Sequence, residues 1–266
     1  MRWVQSDCGQ CISTYSAEGG GAIFSSFTNC TVVGNSVPWW SSTGGIKGGS
    51  VFNSIVYHNT PGNFGGITPS SFSHSCTTPL PTGMGNIADV PLFVDLVSGD
   101  FRLQSKSPCL NAGNNAYVRG NTDLAGNPRV AGGTVDLGAY EFQSPTSVLS
   151  YAWAQQNGLP TDGSADFTDA DGDGMDNYAE WRSDTIPTNG LSVLRMVSVT
   201  NAAEGANVAW QCVGTRNYWL ERASDLGVPL PFHTLATNIV GIPGTKTFTD
   251  LTATNAGPYF YRVGVQ

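Results

Sequence analysis

Short apolar segments recur along the first part of the chain at a spacing that suits stacked coils. Residues 27–35 match residues 51–59 at an offset of 24, and residues 51–55 match residues 72–76 at an offset of 21. Each segment is rich in β-branched and aromatic residues and is followed by Asn, Gly or Pro. A period of about 20 to 25 residues without a helical pattern predicts a solenoid of stacked parallel β-coils over residues 15–143.

The two offsets also predict which residues stack from one coil to the next. Each position of one coil should lie beside the position 24 or 21 residues further on, and polar or apolar ladders should result. The expected ladders are Asn29, Asn53 and His74 in one set, and Thr31, Ile55 and Cys76 in another.

Apolar and polar residues alternate strictly again from residue 191 onward. This pattern predicts a small antiparallel β-sandwich of about six or seven strands. The clearest predicted strands are residues 194–199, 206–210, 218–222, 245–249 and 259–265. Between the two β regions, the composition of residues 143–147 is typical of a linker, and residues 150–157 are expected to form a short amphipathic helix.

The acidic stretch from residue 169 to residue 180 fits the twelve-position calcium loop of EF-hands. Aspartates stand at positions 1, 3 and 5, and a glycine supplies the sharp turn at position 6. A backbone carbonyl is available at position 7, an amide at position 9 and a glutamate at position 12. Calcium takes six to eight oxygen ligands, and alternate residues of a tight loop point theirs inward. The predicted calcium ligands are Asp169, Asp171, Asp173, Met175, Asn177 and Glu180.

The sequence around this loop departs from a true EF-hand pair. Pro160 and Gly163 leave little room for a full preceding helix, and the loop resembles the isolated calcium loops of dockerins and thrombospondin type 3 repeats. A dockerin has two loops in tandem, so the single loop disfavours cohesin binding. Asp162, Asp166 and Asp184 flank the loop, and whether they hold a second, weaker ion stays open. We expect one calcium ion that fixes how two β domains meet.

Three further stretches resemble parts of known bacterial proteins. Residues 19–36 are similar to the coils of secreted proteins of the pectin-lyase-like fold. Residues 100–113 and 122–142 resemble the endings of such β-helices in the choice-of-anchor family. This resemblance implies a right-handed parallel β-helix whose last coils close near Phe142. Residues 136–142 are then expected to form an alternating terminal strand that caps the open end of the solenoid.

The pattern and the resemblance together define the predicted fold class. It is an all-β protein, a right-handed parallel β-helix followed by a calcium-binding linker and a small antiparallel β-sandwich. Residues 1–143 are assigned to the coils and their cap, residues 144–190 to the linker with its short helix and calcium loop, and residues 191–266 to the sandwich. The last region resembles the fibronectin type III-like domain that ends many bacterial secreted surface proteins.

The negative charge of the chain is concentrated in one segment. Only 12% of the 266 residues are charged and the net charge is −8. Residues 144–190 contain eight acidic residues and one basic residue, so the excess lies around the calcium loop. No basic tract favours nucleic acid, and no apolar run is long enough to span a membrane. Few charges and many glycines suit an extracellular protein. We expect a signal peptide upstream, with Met1 not the natural start of the protein.

Six cysteines and the scattered acids of the first 143 residues do not point to a catalytic or zinc site. Cys8 and Cys11 form a C-x2-C pair, yet no second pair or histidine follows at zinc-site spacing. Cys30 and Cys76 are expected in different ladders, and Cys212 is expected to be free. The acids show no paired-carboxylate constellation, so no catalytic residue is assigned. Asp100 and Asp123 are expected to bond to turn amides, and Asp136 with Arg129 to form a local pair.

Three functions from different classes remain open on these observations. The first is a secreted or cell-surface structural or adhesive protein acting at glycans or other surfaces. The second is the C-terminal part of a β-helix polysaccharide lyase or hydrolase whose catalytic coils lie upstream. The third is a carbohydrate-binding accessory module, which needs exposed aromatic residues on one face of the sandwich. The candidates for such a platform are Trp210, Tyr218, Trp219 and Tyr259, although core packing is the favoured role for them. The oligomeric state is not predicted.

Overall fold

The structure, a computed structural model, describes residues 3–6, 20–38, 43–255 and 257–266. Within those ranges the regular structure is mostly β, with fifteen strands and two short α-helices, which confirms the all-β prediction. Contacts divide the chain into two compact units, residues 1–166 and residues 167–266. The predicted linker is therefore divided between the two units, and the calcium loop belongs to the second.

Two parallel sheets form the centre of the first unit. β2, β4 and β6 make one sheet, and β3, β5 and β7 make the other, in those orders. β1 adds to the second sheet by antiparallel pairing with β3. The first unit also holds the antiparallel pair β8 and β9 and the helix α1. The strands are β1 (Trp3–Ser6), β2 (Ala22–Thr28), β3 (Cys30–Val33), β4 (Ile46–Phe52), β5 (Ile55–Tyr57), β6 (Phe64–Ser73), β7 (Cys76–Thr77), β8 (Phe93–Asp95) and β9 (Asp100–Leu103), and the helix is α1 (Tyr151–Gln156).

The parallel strands pair in the register that the sequence offsets predict. Phe27 lies beside Val51, and Val51 lies beside Phe72. In the second sheet the ladder of Thr31, Ile55 and Cys76 is confirmed. The turn between the paired strands is the same each time, because Asn29, Asn53 and His74 all adopt left-handed backbone, with φ of 53°, 47° and 48°.

Buried asparagines and serines tie one coil to the next. The side-chain oxygen Oδ1 of Asn59 accepts hydrogen bonds from the backbone N–H and the side-chain amide of Asn35, both at 3.0 Å. Asn63 accepts from the backbone N–H of Asn59 in the same way, at 3.0 Å. Ser54 Oγ and Ser75 Oγ each accept a backbone N–H from the preceding coil. These side chains satisfy backbone groups that would otherwise be buried without partners at the turns.

A long irregular segment covers the outer face of the second parallel sheet. Side chains of this sheet alternate, so that Val32 and Val56 face the interior between the two sheets while Val33, Ile55 and Tyr57 face outward. The outward residues are buried by Phe93, Phe101, Leu103, Leu110, Leu137 and Tyr151. This lateral cover gives the first unit a second hydrophobic core.

Two expectations for residues 88–143 are wrong. The described strands of this segment, β8 and β9, pair antiparallel, and the last parallel contact is the bridge between Cys76 and Ile87. Residues 136–142 contain no strand either. Their N–H groups bond to separate parts of the fold, Gly138 to the Asn53 carbonyl at 2.9 Å and Ala139 to Thr31 Oγ1 at 3.0 Å. Gly138 has a φ of 98°, which suits a bend rather than a regular strand.

Two three-stranded antiparallel sheets form the second unit. Their strand orders are β10–β11–β14 and β13–β12–β15. Val208, Trp210 and Phe248 of the first sheet share a core with Leu220 and Val263 of the second. The elements are α2 (Asn177–Ser183), β10 (Arg195–Ala202), β11 (Gly205–Cys212), β12 (Asn217–Ala223), β13 (His233–Val240), β14 (Gly244–Asp250) and β15 (Phe260–Val265). All five strands singled out in the sequence are present, and β13 is a further strand whose exposed and half-buried residues do not alternate regularly.

The described cysteines are buried. Cys76, Cys109 and Cys212 are free thiols, and Cys212 lies in the second unit as expected. Burial raises the pKa of the Cys76 thiol well above its usual value, which keeps this thiol protonated and unreactive. The C-x2-C pair, Cys8 and Cys11, lies outside the described residues.

Candidate metal centre

The first aspartate of the acidic loop is held by backbone amides of its own turn. The Asp169 carboxylate accepts hydrogen bonds from Gly172 N at 2.7 Å and from Gly174 N at 2.9 Å. These hydrogen bonds, led by the one from Gly174, lower the pKa of Asp169. Both glycines have positive φ, 80° and 95°, so the tight turn uses the backbone freedom that glycine has and other residues lack. The backbone amides of the turn therefore stabilise the charged form of Asp169 and hold its carboxylate at the start of the loop.

The next two aspartates each use one oxygen for the turn and keep the other inside the loop. Asp171 Oδ1 accepts from Asp173 N at 3.3 Å, and Asp173 Oδ1 accepts from Met175 N at 2.8 Å. Their second oxygens are buried, and no group in the described part of the chain donates a hydrogen bond to Asp171 Oδ2 or Asp173 Oδ2. The loop backbone thus orients the carboxylates and leaves an inward oxygen on each.

Helix α2 holds a fourth carboxylate near the loop, close enough for the charges of the three aspartates to affect its pKa. Asp176 caps the helix by accepting from Ala179 N at 2.7 Å, and Glu180 follows one turn later. Asn177 fastens the start of the helix to the entry of the loop, with its backbone N–H donating to Thr168 O at 2.9 Å and its amide donating to Thr168 Oγ1 at 3.2 Å. The helix therefore holds Glu180 at a fixed distance from the loop.

Glu180 is fully buried, and it is the least satisfied carboxylate of the site. No hydrogen bond reaches either Oε1 or Oε2 from the residues that the structure covers. Burial, followed by the charges of Asp171, Asp173 and Asp169, raises the pKa of Glu180 to about 7. The Thr185 hydroxyl opposes this rise, but it is engaged in its own hydrogen bond with Ser183. A buried carboxylate without a partner is costly, and either a proton or a bound cation would compensate its charge.

The three aspartates are close enough to share one ion. One carboxylate oxygen from each of Asp169, Asp171 and Asp173 lies within 4.8 Å of the others. Adding Glu180, the donor set consists of hard carboxylate oxygens, which calcium and magnesium prefer and zinc does not require. Met175 and Asn177, the expected carbonyl and amide ligands, stay predictions.

The loop and its helix are joined to the β-sheets of their own unit. Met175 Sδ accepts from Leu194 N at 3.3 Å. At the other end of α2, Asp184 accepts from the Thr215 hydroxyl and lies 4.0 Å from the Arg216 guanidinium. The loop and α2 therefore contact both Leu194 and the β11–β12 turn of the same unit.

The carboxylates considered as ligands of a second ion accept hydrogen bonds from other groups of the protein. Asp166 is buried and accepts from Ser147 Oγ at 2.7 Å and from Val148 N at 2.9 Å. Asp162 accepts from both the N–H and the hydroxyl of Ser164. These hydrogen bonds occupy two of the three carboxylates considered for a second site, and Asp184 has the partners named above.

A second carboxylate cluster was not foreseen as a unit from the sequence. Arg129 pairs with Glu141 at 3.1 Å and donates to the backbone carbonyl of Asp136 at 3.4 Å. The expected pairing of Arg129 with the Asp136 side chain stays a prediction. Asp136 accepts from Asn111 N and Phe142 N, both at 2.7 Å. Burial raises the pKa of Asp136 to about 7 and that of Glu141 to about 8.

Asp123 and Asp100 were both expected to accept hydrogen bonds from backbone amides of turns. Asp123 accepts from Ala125 N at 2.9 Å and from Asn127 N at 2.8 Å, which confirms its expected role. Asp100 also accepts from a backbone amide, Arg102 N at 3.2 Å, and its carboxylate pairs in addition with the Arg102 guanidinium, whose Nε lies 2.8 Å away. The spacing of Asp123, Asp136 and Glu141 along the chain has no period, so only the fold reveals that they hold one irregular segment together.

The aromatic platform considered for the sandwich is only partly available. Trp210 and Tyr218 are buried in the core, so their candidacy as sugar-binding residues is wrong. Trp219 and Tyr259 are half-buried and keep an accessible edge or face.

The chain matches no protein-family profile, no curated protein and no solved structure. Among the helices that the structure describes, none is long and apolar enough to cross a bilayer.

Proposed function

We propose that this protein is a calcium-stabilised structural or adhesive protein of the cell exterior, acting at glycans or other surfaces. The observation that carries the proposal is the set of buried carboxylate oxygens on Asp171, Asp173 and Glu180 that lack hydrogen-bond donors among the described residues. A fold that builds such a set at the spacing of a calcium loop implies an ion that compensates it.

Calcium would be held by Asp169, Asp171, Asp173 and Glu180, with the Met175 carbonyl and Asn177 completing the shell. The ion would supply the positive charge that the loop lacks. The residues themselves orient their oxygens through the turn amides, and α2 transmits the order of the loop to Asp184 and the β11–β12 turn. Calcium at extracellular concentration suits a site of this kind.

We further propose a right-handed parallel β-helix for the coils of the first unit and a fibronectin type III-like sandwich for the second. The parallel pairing at offsets of 24 and 21 residues supports the β-helix, as does the ladder of Asn35, Asn59 and Asn63. The two antiparallel sheets around a shared core support the sandwich.

We assign structural roles to the buried acids of the first unit. Asp123, Asp136 and Glu141 receive hydrogen bonds from backbone N–H groups, and Glu141 also receives one from Arg129. Carboxylates that accept these hydrogen bonds stabilise an irregular backbone, and this structural role accounts for their burial without a substrate. This favours the adhesive role over the lyase or hydrolase alternative for the described part of the chain.

Calorimetric titration of the intact, chelator-stripped chain with calcium tests the proposal. We expect one site per chain with a dissociation constant of about 10⁻⁴ to 10⁻³ M, and weaker binding of magnesium. Small-angle scattering with and without calcium would report whether the ion orders the junction that precedes the loop. Absence of any binding heat at millimolar calcium would contradict the proposal.

A further inference from the structure

One sheet of the second unit presents an ordered outward face. Tyr218 and Leu220 of β12 and Val263 of β15 belong to the core. Because side chains alternate along a strand, the residues between them lie on the opposite face. We name this the outer aromatic face, and it consists of Trp219, Glu221, Thr234, Phe260, Arg262 and Gly264.

A tryptophan lies against a glycine at one end of this face. Trp219 and Gly264 are direct partners across the β12–β15 pair. A Cβ atom on Gly264 would fall 2.1 Å from Trp219 Cζ2, so the indole occupies the space that any other side chain would need. The indole is half-buried, with the strand on one side. The sheet thus fixes the ring in position while part of it stays accessible.

A charge-balanced pair follows next to the tryptophan. Arg262 Nε donates to Glu221 Oε2 at 2.7 Å, and Thr234 donates to Glu221 Oε1 at 3.2 Å. The Arg262 guanidinium also lies 4.3 Å from the centre of the Phe232 ring and 5.7 Å from that of Trp219. These contacts hold donors and an acceptor in place and leave this part of the surface without net charge.

A second aromatic residue stands at the other end of the face. Phe260 is 38% exposed and pairs with Ala223 across the β12–β15 pair. It lies four residues from Gly264 along β15, so the backbones under Phe260 and Trp219 are about 14 Å apart. This separation exceeds one sugar ring, so a ligand touching both aromatic residues is an extended chain.

We propose that the outer aromatic face binds an uncharged polysaccharide. This inference rests on the proposed function, in which glycans are the partner, and it names the surface and the class of glycan. The C–H faces of sugar rings stack on Trp219 and Phe260, while their hydroxyl groups exchange hydrogen bonds with Glu221 and Arg262. The balanced ion pair offers no unpaired basic group to a uronate or sulfated polymer and therefore favours an uncharged one.

Calorimetry with soluble hexasaccharides tests the assignment on the intact, calcium-loaded chain. The probes are neutral β-linked oligomers of glucose, xylose, mannose and N-acetylglucosamine, with an oligogalacturonate as the charged comparison. We expect at least one neutral oligomer to bind. Trp219→Ala and Phe260→Ala should each weaken it roughly tenfold, because aromatic anchors dominate such contacts. Val197→Ala, at an exposed position on the other sheet, is the matched control and should bind as the wild type does.

Each outcome decides the assignment. Circular dichroism establishes that the variants are folded, and Phe260→Ala is the safer variant because its ring is the more exposed. Wild-type binding that both variants retain would place the glycan elsewhere and overturn this surface, while leaving the proposed function standing. Failure to bind any neutral oligomer, or binding of the oligogalacturonate alone, would also overturn it. Calcium titration of the same sample tests the proposed function separately.

Discussion

Replacing Glu180 by glutamine should affect stability differently with and without calcium. Glu180 is the carboxylate with both oxygens unpartnered in the described structure and three aspartates nearby. Glutamine keeps the size of the side chain and removes its charge. Without calcium the substitution relieves repulsion, whereas with calcium it removes the closing ligand of the loop. We therefore expect the variant to be the more stable protein without calcium and calcium to stabilise the wild type more than the variant.

The magnitude without calcium follows from the electrostatics of the loop. A carboxyl group whose pKa is raised in the folded state contributes its stability at low pH and loses it as pH rises. For Glu180 this loss extends from 4.5 to about 7, so at pH 8 the wild type bears the full cost. The shift sets an upper limit of about 3 kcal/mol, and water at the open side of the loop reduces it to about 1–2 kcal/mol. The variant should be more stable by that amount.

The magnitude with calcium follows from mass action. At about 10 mM calcium and a dissociation constant of about 10⁻⁴ to 10⁻³ M, the wild type gains about 1.4–2.7 kcal/mol. The Glu180→Gln variant should keep little of this gain, because it lacks a charged, bidentate ligand. For a unit of this size, each kcal/mol shifts the melting temperature by about 4–8 °C.

Differential scanning calorimetry at pH 8, in chelator and in about 10 mM calcium, measures both effects. Glu204→Gln is a suitable control, since Glu204 is exposed on the β10–β11 turn, and it should leave both melting temperatures unchanged. The reasoning fails if Glu180→Gln lowers the melting temperature in chelator, or if calcium stabilises wild type and variant equally.

Three further predictions concern the rest of the molecule. Asn59→Ala should destabilise the first unit by about 2–4 kcal/mol in denaturant unfolding, because it leaves buried backbone groups unsatisfied, whereas the exposed Asn121→Ala should change little. The pKa values of Asp136 and Glu141 are raised to about 7 and about 8 in the folded protein, so the stability of this unit should fall as pH rises from about 4 to 8; a stability that rises over that range would contradict this assignment. Peptide mapping of the unreduced protein should find Cys212 unlinked, and a disulfide from it to a cysteine of the first unit would refute its placement.

The candidate metal site was accessible from sequence because its geometry is local. Its ligands lie within twelve consecutive residues, and the hydrogen bonds that orient them run two to five residues along the chain. The spacing of the residues is therefore nearly sufficient to predict the candidate ligands. What spacing does not carry is the degree of burial of Glu180, which depends on how the surrounding unit packs around α2.

The register of the coils could also be predicted from the sequence, because residues separated by the repeated offset lie beside each other in neighbouring coils. The pairing of Phe27, Val51 and Phe72 follows from that rule. The lateral cover follows from no comparable rule. Gly138 bonds to Asn53, 85 residues before it, and Ala139 bonds to Thr31, 108 residues before it. Contacts of this kind require the outer face of the sheet and the irregular segment to match in shape and polarity. No local sequence pattern describes that match, so only the tertiary structure determines these contacts.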